Sequence, residues 1–107
     1  MFTRVGEATA HPGKIDELCQ VLTEKALPLL QKQPGFRDEI LLVSDTEPDR
    51  VLSLSFWNSR EDAERYHHDT FPKIVAMMRN LVQGEPTVRA YNVETSTAHR
   101  IALGRAA

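Results

Sequence analysis

Apolar residues change their spacing in the middle of the run from Leu52 to Tyr66. Leu52, Leu54 and Phe56 alternate with Val51, Ser53, Ser55 and Trp57, after which apolar positions return at helical intervals. The stretch reads as strand, turn, helix. Ser59 suits the N-cap, because its hydroxyl can accept an orphan backbone N–H, and Asp62 can complete a capping box. Glu61 and Asp62 also oppose the positive end of the helix. Trp57 is the last strand residue before the cap. The serines that share its face leave room beside it, so a pocket is expected there.

The other elements follow in order. Phe2 to Ala10 reads as a first strand closed by His11-Pro12-Gly13. From Lys14, the positions Ile15, Leu18, Cys19, Leu22, Ala26, Leu29 and Leu30 form one helical stripe, with Pro28 expected to kink or break its last turns. Pro34-Gly35 ends it. Phe36 to Asp45 is a second strand, joined through Thr46-Glu47-Pro48-Asp49 to the strand before Trp57 as an antiparallel hairpin. A helix from near Arg60 restarts at Asp69-Thr70-Phe71-Pro72, and its stripe of Phe71, Ile74, Val75, Met78, Leu81 and Val82 stops at Gly84 and Pro86. Thr87 to Glu94 is the final strand, and residues 95–107 form a polar tail.

Strand, helix, strand, strand, helix, strand predicts an α+β, ferredoxin-like βαββαβ domain: an antiparallel sheet with two helices on one face. Ile40 to Val43 is apolar on both faces, whereas the helices cover one. A homodimer through the free sheet face is therefore expected.

Composition adds exclusions. At 107 residues, 41% hydrophobic and 26% charged, the chain fits one domain over residues 1–107. A net charge of −2 gives no basic excess for nucleic acid or anionic membranes, and no apolar run reaches the ~20 residues of a membrane span. The one cysteine cannot form an internal disulfide, and no leader pattern opens the chain, so a cytoplasmic location is expected. Four histidines without CxxC, HxxxH or HxH spacing predict no metal site, and no glycine-rich phosphate loop is present, so no cofactor is expected.

The HPGK turn opening a helix, QPGF closing it, FWNSREDAERY and the terminal EPTVRAYNVE together resemble the antibiotic biosynthesis monooxygenase superfamily of small dimeric α+β barrels, over residues 2 to about 94. The resemblance implies a domain whose relatives include cofactor-free oxygenases of phenols and quinols, and haem-degrading enzymes. In the polyketide-oxidising members, it implies a Trp at the strand end working with an Asn four residues before it and a Tyr six after. Here Trp57 is kept, but those positions hold Ser53 and Ala63. The haem degraders' Asn, Trp and His correspond to Gly6, Tyr66 and Ala76, which leaves no axial ligand there and argues against haem degradation.

Each candidate has a functional and a structural reading. Trp57 can stack on a planar substrate or simply pack the barrel. Tyr66 and His67, nine and ten residues further on, can handle protons of a phenol if they face the sheet, with Tyr66 alternatively a core residue. Ser53 and Ser55 would line the substrate space, and His99 would join it if the tail packs back. His11 and His68 read as solvated, and Cys19 as core. The expected function is cofactor-independent oxygenation of a small phenol-like or quinol-like aromatic. The alternative is a non-catalytic ligand-binding or structural dimer. On the substrate reading, Trp57→Phe weakens ligand binding at little cost in stability.

Overall fold

A computed structural model describes residues 1–103; the end of the domain expected at residue 107 lies outside the described residues. The chain runs β1 (Phe2–Thr9), α1 (Ile15–Val21), a π-helical turn (Leu22–Ala26), α2 (Leu27–Gln31), β2 (Phe36–Val43), β3 (Arg50–Trp57), α3 (Arg60–Asp69), α4 (Phe71–Met78) and β4 (Thr87–Asn92). The strands form one antiparallel sheet in the order β2-β3-β1-β4. This is the α+β, ferredoxin-like fold expected from the element order.

The first helix does not stop at Pro28. It widens: the Leu27 N–H donates to the Leu22 carbonyl, one residue further back than an α-helix would reach. Pro28, which has no N–H to offer, then falls in the first turn of α2, where no intrahelical donor is needed. The second helical region does divide at Thr70, as Pro72 led one to expect, but the Thr70 side chain makes no capping bond. Leu81 and Val82 lie beyond the last helical turn and are buried as loop residues, with Val82 bridged to Ala10.

Strand parity decides what faces what. Phe2 and Ala8 of β1, Val51, Ser55 and Trp57 of β3, and Leu18, Ala26, Leu30, Ala63, Tyr66, Ile74 and Met78 of the helices close one core between sheet and helices. The opposite sheet face carries Ile40, Leu42 and Tyr91, which are 40%, 45% and 51% exposed.

The entry to α3 is fixed by two contacts. Ser59 Oγ accepts the Asp62 N–H at 3.2 Å and donates to the Asp62 carboxylate at 3.0 Å, so the cap predicted from the sequence forms. Gly35, at φ +79°, lies directly under that carboxylate, and any Cβ there would overlap Asp62. Gly35→Ala therefore combines left-handed backbone strain with a disturbed cap. It is expected to lower stability by about 1–3 kcal/mol in urea unfolding, whereas Gly13→Ala, which meets no neighbouring atom, carries the backbone strain alone.

Candidate functional site

Pairing β3 to β1 and β2 places Arg4 and Glu39 on either side of Ser55, with all three side chains on the helix-facing side. Between them and the helices lies a cavity of about 60 Å³. Its polar wall is Arg4, Glu39, Ser53, Ser55 and Tyr66, and its apolar wall includes Leu22, Phe71, Ile74 and Met78. Such an interior is well below the ~300–1,000 Å³ of typical small-molecule sites. A single ring is the most it takes without movement of a wall residue, and Met78 is the most adaptable of these.

Glu39 is the carboxylate of this wall. Ser53 Oγ donates to Glu39 Oε1 at 3.2 Å. Burial pushes its carboxyl above the usual glutamate range, with the Ser53 bond opposing and Asp38 adding to the shift. Tyr66 is 4% exposed, and burial lifts its hydroxyl to about 12 despite the pull of the Arg4 charge. At neutral pH it is therefore a neutral hydroxyl able to donate.

Arg4 is 7% exposed. Its guanidinium carbon lies 4.9 Å from the Tyr66 ring centre and 4.6 Å from that of Phe71, and one nitrogen donates to His67 Nδ1 at 2.8 Å. Burial lowers its pKa, partly offset by Tyr66. On its far side opens a cleft of about 300 Å³ bordered by Phe2, Arg60, His67, Val88 and Ala90.

Of the residues singled out from the sequence, the fold brings Ser53, Ser55 and Tyr66 to one cavity and leaves three outside it. Trp57 is not beside the cavity but behind it: fully enclosed, it stacks on Tyr66 at 4.9 Å and meets Phe36 edge-on at 5.6 Å. Its indole N–H donates to Ser55 Oγ at 2.9 Å, so that serine fills a packing and hydrogen-bonding role as well as lining space. The room expected beside the indole is taken by the phenol ring of α3.

His67 lies on the exposed flank of α3, stacked on Phe71 at 5.4 Å. Burial, Arg4 and His68 all lower its pKa, and its acceptor nitrogen is occupied by Arg4. His99 packs on Phe56 at 4.9 Å with Nε2 3.5 Å from the Asp38 carboxylate. Phe56 and Asp38 are paired on the opposite sheet face, so the tail does pack back, but away from the cavity. Cys19 packs against the core, and burial and Asp16 raise its thiol pKa, as suits a packing residue.

Arg4 and Glu39 were missed in the sequence, where a charged strand residue reads as solvated. The available signal was parity: Arg4 alternates in phase with the inward Phe2 and Ala8, and Glu39 with Leu41. Among the described residues no group of three or more His, Cys, Asp and Glu side chains is placed to hold a metal, and no helix is long and apolar enough to cross a membrane.

Comparison with known proteins agrees with this architecture. The antibiotic biosynthesis monooxygenase family model matches residues 1–71. A variant of SnoaB, a cofactor-independent oxygenase from Streptomyces nogalater, superposes with a TM-score of 0.73 at 18% identity, covering 90% of this chain and 95% of that one. Two provisionally assigned antibiotic biosynthesis monooxygenases are similar. That from Bordetella bronchiseptica has a TM-score of 0.75 at 15% identity, over 86% of this chain and 95% of its own. That from Caulobacter crescentus has 0.73 at 22%, over 86% and 88%. At these identities the likeness is one of fold. No curated protein matches the sequence significantly.

Proposed function

Because the chain belongs to the antibiotic biosynthesis monooxygenase family, we propose that its sheet-helix cavity binds a small phenol or quinol and oxygenates it without a cofactor. The observation that supports this most is a carboxylate of raised pKa, Glu39, facing an apolar cavity beside the neutral hydroxyl of Tyr66. A base in that setting is matched to a weak acid such as a phenol. Glu39 takes the phenol proton, and Tyr66 donates a hydrogen bond to the oxygen on which negative charge develops. The electron-rich ring then reduces O2: a ring C–O bond forms, the peroxide O–O bond breaks, one oxygen stays as the quinone carbonyl and the other leaves as water. Phenol plus O2 gives quinone plus water, so the substrate supplies all the electrons. His67 contributes by holding Arg4, since its Nδ1 accepts from the guanidinium.

Oxygen-electrode measurements with quinols and phenols, without added metal or flavin, test this reading. Protein-dependent uptake matched to quinone formation is expected. A panel that binds without oxygen uptake would replace it with non-catalytic ligand binding.

The same reading includes a homodimer through the outer sheet face, supported by the exposure of Ile40, Leu42 and Tyr91. Leu42→Glu is expected to shift a micromolar sample from dimer to monomer in sedimentation while leaving the far-UV spectrum unchanged. A wild-type protein that sediments as a monomer would remove the dimer.

A further inference from the structure

Arg4 is a buried cation, and no carboxylate among the described residues is paired with it. Among the described residues lysine and arginine pair with carboxylates at Lys14 with Glu17, Arg50 with Glu7 and Glu47, and Arg65 with Asp62. Arg4 has instead two aromatic faces and a histidine nitrogen. Glu39, on the wall of the same cavity, is held by Ser53 rather than by the guanidinium. Buried charges are costly unless paired, so an arginine held only by two rings and a histidine gains from an anionic ligand.

Position sharpens the point, because Arg4 belongs to two walls at once. It borders both the small apolar cavity and the outer cleft, where Arg60 adds an exposed cation beside the carboxylate of Glu64. Arg60 lies over Phe2, 5.3 Å from the ring centre. The inner space takes little more than a ring, so a charged substituent has to lie outside it, on the arginine side.

We infer that the ligand is a small aromatic acid, its ring in the inner cavity and its carboxylate on Arg4 at the mouth of the Arg60 cleft. A guanidinium fork matches a planar carboxylate bidentately, and the stacking on Tyr66 and Phe71 fixes the fork before the ligand arrives. A hydroxyl elsewhere on the ring is then left facing the Glu39 side. The assignment deepens the proposed oxygenase reading by naming its substrate class, and it rests on that reading for the place of the ring.

Calorimetric titration of the full chain with 4-hydroxybenzoate and with its methyl ester tests it. The acid should bind ~10- to 100-fold more tightly than the ester, the range of one charge-assisted interaction, and added salt should narrow the gap. Arg4→Met should bring the acid to the level of the ester. If Arg4→Met does not fold, the Arg60→Gln variant, at an exposed position, should still reduce the preference several-fold. Equal binding of acid and ester by the wild type, or an acid preference that survives these changes, overturns the inference. Acid-selective binding without oxygen uptake leaves it standing and removes the oxygenase, whereas uptake on neutral phenols without acid selectivity does the reverse.

Discussion

Glu39→Gln is expected to reduce oxygen uptake by ~10²- to 10⁴-fold, the usual contribution of a positioned general base, while leaving ring binding within a few-fold of wild type. Glutamine keeps the size of the side chain and can accept the Ser53 bond seen at 3.2 Å, but it takes no proton. The wild-type pH profile carries the same information. Glu39 must be ionised to act, and its pKa is raised chiefly by burial, so the acid limb of kcat/KM should lie above the ordinary glutamate range. Ser53→Ala removes the bond that favours the charged form and should move that limb higher still.

Stability should run the other way. A carboxyl whose pKa is higher folded than unfolded binds more protons in the native state. Its contribution is then most favourable at low pH and is lost as pH rises through the folded value. Above that value the charge opposes folding, so Glu39→Gln should be the more stable protein at neutral pH by thermal unfolding. A variant that is both slower and less stable would point to Glu39 as a packing residue instead.

Trp57→Ala is expected to cost about 3–5 kcal/mol, a large part of the ~5–15 kcal/mol that holds such a domain together. The side chain is fully buried and touches Phe36 and Tyr66, elements that close the core from two sides. Trp57→Phe retains the ring contacts but leaves Ser55 Oγ without its donor and opens a small void, for about 1–3 kcal/mol. Because Trp57 does not line the cavity, Trp57→Phe should leave the affinity for an aromatic ligand nearly unchanged. This reverses the balance expected from the sequence. Urea unfolding of the two variants, beside a titration of Trp57→Phe, checks both halves: a stability cost without an affinity cost agrees with the structure.

What could be read from the residues alone is local in origin. Alternation over Leu52–Trp57, the cap at Ser59, the Pro34-Gly35 turn and the break before Pro72 each act within a few residues, so they specified the order of elements and hence the fold. The doubly apolar Ile40 to Val43 run foretold a bare outer face for the same reason: alternation exposes one set whenever helices cover the other. Pro28 announced an irregularity, but whether the helix would break or widen depended on packing along its whole length, and a π turn kept the stripe facing the core. The site, by contrast, depends on register between strands distant in sequence. Arg4 meets Ser55 and Glu39 meets Ser55 only once β1 and β2 have paired to β3. Tyr66 then fills the place beside Trp57, and Arg4 takes up the acceptor nitrogen of His67. A serine can be read as space and a tryptophan as a wall from their types alone. Which neighbour takes the space is a tertiary matter, because it is settled by side chains whose contacts span fifty or more residues of chain, as between Thr3 and Ser55.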